Sequence, residues 1–303
     1  MSAISLNKSN QAWAAVALVT VAAATTPIFI RFAQHEGVPS LSIVAIRLIL
    51  GTLILTPFAW QRHSQALKRM SYQDWLWAMA AGTFHAIGLF CLFFALENTS
   101  ILVNSVLRRT SPLWTIILEI AVLHAAFSRR VWWGILVTLV GGSFVALGGA
   151  GAIDAGSRPA LGIGLSLLNA VALSCYLIIG RKLRNKLPFL AYTWTLFAAA
   201  AVVTAVFTLI THTPLLGYTW HGYLWVLVIT IIAQLTGHLP MNFAVRHFPA
   251  TYLSVLMQFS VAASAVMAFF YFGEIPSWLQ GMGSLIIVLG VVMVTWQNKK
   301  SPA

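Results

Sequence analysis

What most constrains this chain is a succession of apolar runs, each about 20 residues long, separated by short segments of charge, proline and glycine. A helix of that length crosses the roughly 30 Å hydrocarbon core of a bilayer. Runs at roughly 12–33, 41–60, 75–96, 101–123, 131–149, 160–180, 189–210, 222–243, 250–272 and 278–296 predict ten transmembrane helices. Apolar–polar alternation at period two is absent, and in lipid only helices or closed barrels satisfy every backbone group. The predicted fold class is therefore an all-α integral membrane protein. A mean hydropathy of +0.86 agrees, being more than a water-exposed surface carries. The spans use up the 303 residues, so no extramembrane domain is expected. The first run follows a single basic residue, Lys8, and is too long for a cleavable signal, so it is expected to be the first span.

The net charge of +12 first raises the question of nucleic acid, but its distribution answers differently. With the N-terminus in the cytosol, alternate loops collect Lys8, Arg62, Lys68, Arg69, Arg129, Arg130, Arg181, Lys182, Arg184, Lys186, Arg246, Lys299 and Lys300 on one side. The other side receives Arg31 and Arg158 together with Glu36, Glu97, Asp154 and Glu274. By the positive-inside rule both termini are cytoplasmic, and the expected location is a bacterial-type inner membrane. Trp60, Trp75, Trp77, Trp132, Trp133, Tyr218, Trp220, Tyr223, Trp278 and Trp296 fall at span ends, as interfacial belts do. Cys91 and Cys175 lie inside apolar runs, without the spacing of a disulfide framework or a metal site.

Sliding the chain against itself reveals a constant offset of 149 residues. Pro39 falls on Pro188, Phe94-Ala95 on Phe243-Ala244, Ser105-Val106-Leu107 on Ser254-Val255-Leu256, Ser111 on Ser260 and Ser128 on Ser277. Gly134 falls on Gly283, Leu136 on Leu285 and Gly141 on Gly290. Two five-helix halves, 1–150 and 151–303, follow, and an odd number of spans turns the second upside down relative to the first. Inverted repeats of this kind are a transporter signature, because they give two nearly equivalent arrangements around a midplane site.

The chain resembles the EamA-type transporters of the drug/metabolite transporter superfamily over essentially its whole length. The resemblance is carried by Phe94-Ala95-Leu96-Glu97-Asn98-Thr99-Ser100 leading to Thr110-Ser111-Pro112-Leu113, by Arg47 early in the second span, and by Phe272-Gly273-Glu274 before a Gly-rich last span. It implies ten spans in two inverted five-helix halves, and a substrate exported by alternating access. Two departures stand out: His124-Ala125 occupies the place of the first-half counterpart of Gly273-Glu274, and Arg108-Arg109 occurs where small or apolar residues are usual.

Ionisable groups at membrane depth are costly and face the bundle interior or a wet cavity. Arg47, Arg108, Arg109 and Glu119 qualify, with His85 and His238 behind them. On a continuous span-four helix, Asn104, Arg108, Ser111, Thr115 and Glu119 fall within about 60° of Arg108, with Arg108 and Glu119 about 16 Å apart. Guanidinium groups present a charged planar fork to carboxylate or phosphate oxygens, which predicts a substrate with an anionic group. The alternative is that the arginines pair with other spans or bond carbonyls at a helix break. Gln234, His238 and Asn242 share a face of span eight, with Gln234 the repeat counterpart of His85. Gln258 is the counterpart of Arg109, and Ser166, Asn169 and Tyr176 share a face of span six. The expected substrate-contacting set is thus Arg108, Arg109, Arg47, Asn104, His85, Tyr176, Gln234, His238 and Gln258. Glu119, His85 and His238 are candidates for proton coupling. Each polar residue taken alone also fits ordinary interhelical hydrogen bonding.

No phosphate loop of the form G-x-x-x-x-G-K-[ST] occurs, so coupling to ATP hydrolysis within the chain is not expected. Nothing pairs a nucleophile with a base, and no cofactor, metal or nucleic acid is expected. The expected partners are a small-molecule substrate and membrane lipid, with homodimerisation left open. The leading expectation is a secondary exporter of small carboxylate-bearing metabolites, such as amino acids or metallophore-like amino-carboxylates. An importer or exchanger of organic phosphates or nucleotide-like solutes would use the same arginines. The competing class is a membrane protein without transport turnover.

Overall fold

The computed structural model describes residues 3–98, 104, 107–148, 158–260, 263 and 277–295. Asp154, the stretch Phe272-Gly273-Glu274, most of span nine beyond Ser260, Trp296, Lys299 and Lys300 lie outside them. Every element among the described residues is helical. In chain order these are α1 (Ala3–His35), α2 (Ser40–Lys68), α3 (Tyr72–Asn98), α4 (Ser111–Leu123), α5 (Arg129–Gly148), α6 (Pro159–Arg184), α7 (Phe189–Ile210) and α8 (Trp220–Ile229). A π-helical segment, Thr230–His238, leads into α9 (Leu239–Ala244), and α10 (Ala250–Leu256) and α11 (Trp278–Thr295) follow. Six described stretches have the length and apolarity to cross a membrane: Ser40–Lys68, Tyr72–Leu92, Ala160–Arg184, Phe189–Ile210, Trp220–Ala244 and Trp278–Thr295. Two shorter apolar helical stretches, Gln11–Thr26 and Ser111–Leu123, accompany them.

The chain divides into two compact units that interleave along the sequence. One comprises Met1–Phe90 and Cys175–Phe248, the other Cys91–Ser174 and Pro249–Ala303.

In the first unit α2 packs along α7, and α1 packs along α8, the π-helical segment and α9. Pro39 and Pro188, 149 residues apart, each stand just before a helix in the same extended conformation, at φ −61°, ψ 147° and φ −56°, ψ 145°. A proline cannot donate its missing N–H, and at this place none is required. Close approach of α3 to α7 depends on Gly82, where a Cβ would stand 2.6 Å from the Leu196 carbonyl oxygen. Ala33, Val38, Ile43, Val226, Ile229 and Ala233 form a core cluster. Near them the Trp225 ring lies 4.8 Å from that of Phe32.

The second unit is organised by α5 against α11. Gly134 meets Gly290 and Gly141 meets Gly283, with would-be Cβ atoms 2.6 to 3.0 Å from the opposing carbonyl oxygens. Contacts that rise along one helix and fall along the other make the pair antiparallel. Each glycine meets the 149-offset counterpart of the other, the pairing that a two-fold axis generates. Ile116, Val131, Ile135, Tyr252, Val255 and Val294 fill the adjoining core.

Span four departs from the continuous helix that its apolar run predicts. Turn residues Arg109 and Thr110 interrupt it, with the Thr110 amide and hydroxyl both donating to the Leu107 carbonyl. Pro112 sits in the first turn of α4, where its lack of an N–H fits a helix start rather than a helix interior. Span nine is interrupted at Met257 and Gln258, one residue short of the exact repeat counterparts of Arg109 and Thr110. At the far end of α4, His124 takes a left-handed conformation at φ 51°. A glycine adopts that conformation at no cost, which accounts for glycine in the pattern from which this chain departs.

Candidate functional site

The first unit gathers polar side chains from four helical elements at membrane depth. Arg47 lies on the buried face of α2 and is only 4% exposed. Its Nε has no hydrogen-bond partner, and among the described residues no carboxylate pairs with it. Its charge acts on two imidazoles, His85 of α3 and His238 of the π-helical segment. Their rings stand 4.6 Å apart, edge to face at 76°. On its other side the His85 ring lies 5.1 Å from Tyr176 of α6. His85 Nε2 is buried and has no hydrogen-bond partner among the described residues.

Gln234 is fully buried, and among the described residues neither its amide oxygen nor its nitrogen has a partner. It lies against Gly51, one turn beyond Arg47 on α2, where a Cβ would stand 2.9 Å from Gln234 Cγ. Gly51 thus makes room for the amide beside the arginine. Unsatisfied buried polar atoms cost about 1–3 kcal/mol each, and Arg47, His85 and Gln234 together carry four of them. Such groups call for an explanation, and a ligand's oxygens are one.

Tyr176 is held differently. Its hydroxyl donates to Asn242 Oδ1 at 2.5 Å, and Asn242 Nδ2 donates to Thr193 Oγ1 at 3.3 Å. Arg184 Nε donates to the Asn242 carbonyl at 3.0 Å and Arg184 Nη1 to the Leu187 carbonyl. This chain of bonds fixes the phenol beside His85.

The π-helical segment has a local cause. Pro240 has no N–H to offer the Thr236 carbonyl, and the Leu239 amide bonds instead to the Gln234 carbonyl five residues back. Gly51, Thr193 and Arg184 were not expected in this cluster. Arg184 in particular reads in the sequence as one of four loop cations, yet it is 2% exposed.

Span-four residues in the second unit behave otherwise. The break at Arg109 and Thr110 removes the continuous helix on which their common stripe was predicated. Arg108 is exposed whereas Asn104, Ser111, Thr115 and Glu119 are buried. Arg109 Nη1 donates to the Gly142 carbonyl at 2.8 Å, and Arg109's own carbonyl accepts from Gln258 Nε2 at 2.9 Å. Arg109 and Gln258 therefore tie together the two helix interruptions, each bonded to backbone rather than arranged as a fork for a ligand. Asn104 Oδ1 accepts from Ser166 Oγ at 3.0 Å, and Thr115 Oγ1 bonds Ser174 Oγ at 2.9 Å.

Glu119 was expected to line one end of a pathway and to be a coupling group. In the structure its carboxylate accepts the amides of Ala250 at 3.1 Å and Thr251 at 2.9 Å and the Thr251 hydroxyl at 2.7 Å. The start of α10 has unpaired amides that a buried carboxylate satisfies well. Glu119→Ala is expected to lower the melting temperature sharply, since three donors lose their acceptor at about 1–3 kcal/mol each. Glu119→Gln, which keeps one acceptor oxygen, should fall between, and equal melting of all three proteins would refute a capping role.

The sequence model of one family, described as the EamA-like transporter family, matches the chain twice, over residues 11–147 and 160–296. A comparison with curated proteins finds no match. A protein known from a crystal structure superposes with a TM-score of 0.79 over 96% of this chain and 99% of its own, at 16% identity. At that identity the likeness is one of fold.

Proposed function

The chain belongs to the EamA-like transporter family, and on that premise we propose that it exports small carboxylate-bearing metabolites, with Arg47 as the anchor for the carboxylate. As a family member it is a multi-pass membrane transporter. The observation that carries the substrate reading is a buried guanidinium with no carboxylate partner among the described residues, in a unit where the His85 ring also lies beside those of His238 and Tyr176. Arginine presents two parallel N–H donors to a carboxylate, and such charge-assisted bonds are strong where water is scarce. His85, His238 and Gln234 offer further polar atoms to an amino or hydroxyl group on the same solute.

Alternating access between two inverted five-helix halves is the mechanism proposed. Support comes from the matched prolines before α2 and α7, the paired helix interruptions and the two-fold glycine pairing of α5 and α11. Ten spans with both termini in the cytoplasm of an inner membrane follow from the apolar runs and the loop cations. Export is the direction that the resemblance to EamA-type transporters implies.

Counterflow in proteoliposomes tests the substrate class. Labelled amino acids or dicarboxylates should exchange across vesicles holding the wild-type protein and fail to do so with Arg47→Met. Exchange of organic phosphates alone would reassign the arginine to another anion. Exchange of organic cations, unaffected by the substitution, would refute the reading.

A further inference from the structure

At the end of α2 away from Pro39, a cavity of about 670 Å³ is lined by Arg62, His63, Arg69, Asp74 and Lys186, with Gln65 between them. Three permanent cations meet one carboxylate there. Asp74 is engaged with Lys186 at 3.2 Å and with the Ser71 hydroxyl at 2.7 Å, so Arg62 and Arg69 keep their charge uncompensated. Neither arginine has a carboxylate within ion-pair distance among the described residues.

The cavity lies at headgroup depth. From Ser40 to the break at His63, α2 runs 23 residues, about 35 Å against a hydrocarbon core of about 30 Å, so the turns that follow lie beyond the apolar layer. His63, non-helical at φ −138°, makes that break. Trp60, Tyr72 and Trp77 are exposed around the same level, as interfacial aromatics are. Lys182 lies 4.6 Å over the Trp77 ring, adding another cation to this rim.

From these features we infer that the cavity binds a phosphate group, that of an anionic phospholipid headgroup in the leaflet beside it. A guanidinium pair matches phosphate oxygens, and the aromatic rim suits the glycerol and upper acyl region. None of these residues belongs to the Arg47 cluster, so the lipid site stands or falls apart from the substrate reading.

The full-length protein is placed in nanodiscs of phosphatidylcholine, of phosphatidylcholine with phosphatidylglycerol, and of phosphatidylcholine with inorganic phosphate in excess. Melting temperature and the phosphatidylglycerol retained in native mass spectrometry are read for each. Phosphatidylglycerol should stabilise the protein and remain bound, whereas inorganic phosphate should not stabilise it. The double variant Arg62→Gln, Arg69→Gln changes two exposed side chains and should weaken phosphatidylglycerol binding about 30-fold, at about fivefold per basic residue. Asp74→Asn, which frees Lys186, should strengthen it by about fivefold, and Arg47→Met should leave it unchanged. Equal behaviour in the two lipids, or a double variant that binds as the wild type does, would overturn the inference. Stabilisation by inorganic phosphate equal to that by phosphatidylglycerol would overturn the lipid assignment and leave a site for soluble phosphate.

Discussion

Arg47→Met should abolish transport and at the same time raise the melting temperature. The two effects have one cause. A buried guanidinium without a carboxylate destabilises the folded protein, because desolvation of the charge is not offset by a partner. Methionine fills a similar volume without a charge, so the folded state should gain stability and melting should rise by a few degrees. The same substitution removes two charge-assisted hydrogen bonds to the solute, each contributing about 1.5–3 kcal/mol. Transport should therefore fall by about 100-fold or more. Arg47→Lys keeps the charge but not the fork and should recover only part of the activity. A variant that melts lower than the wild type and transports in proportion to its folded fraction would make Arg47 a structural residue.

A large loss of stability is also expected at the crossing of α5 and α11. A Cβ on Gly283 would lie 2.6 Å from the Gly141 carbonyl oxygen and 2.6 Å from the Val145 amide nitrogen. Both are backbone atoms, so the helices themselves must separate to admit it. Gly283→Ala should cost about 1–3 kcal/mol as an overpacking change, and Gly283→Val should leave little protein that survives extraction and gel filtration. Gly281, two residues away on the same helix, has nothing within 4 Å of its would-be Cβ. Gly281→Ala should be neutral or slightly stabilising, by up to about 1 kcal/mol from helix propensity. Because Gly141 and Gly283 share one contact, substituting both with alanine should cost less than the sum of the single changes. Strictly additive costs, or equal tolerance at Gly281 and Gly283, would show that the crossing is looser than its geometry.

How far the sequence discloses this protein depends on whether a feature is local or is completed by a distant partner. Apolar length and the 149-residue register are properties of the chain itself, and they appear in the structure as matched prolines and apposed glycines. The interruption of span four was not legible, because residues 107–110 carry no strong helix breaker and Pro112 reads equally as a tolerated first-turn proline. Once the helix breaks, angular arithmetic across the break fails, so spacing alone no longer sets which residues on its two sides share a face. Arg47, Arg108 and Arg109 look alike in the sequence as charges at membrane depth. Among the described residues the Nε of both Arg47 and Arg109 is buried without a partner, and what separates these two is the Gly142 carbonyl, 33 residues from Arg109, that accepts from Arg109 Nη1. Glu119 was likewise legible as an intramembrane carboxylate but not as a cap. The Ala250 and Thr251 donors come from a helix that begins 131 residues later.

Thermal stability of the detergent-purified protein, screened against amino acids, di- and tricarboxylates, phosphorylated metabolites and organic cations, tests the central claim most directly when repeated with Arg47→Met and Arg108→Ala. A ligand that binds only the folded state stabilises it by about 2.7 kcal/mol at a hundred times its dissociation constant. Carboxylates should raise the melting temperature of the wild type and of Arg108→Ala, and should have no effect on Arg47→Met. A carboxylate response that survives in Arg47→Met and disappears in Arg108→Ala would contradict the account and return the substrate site to span four.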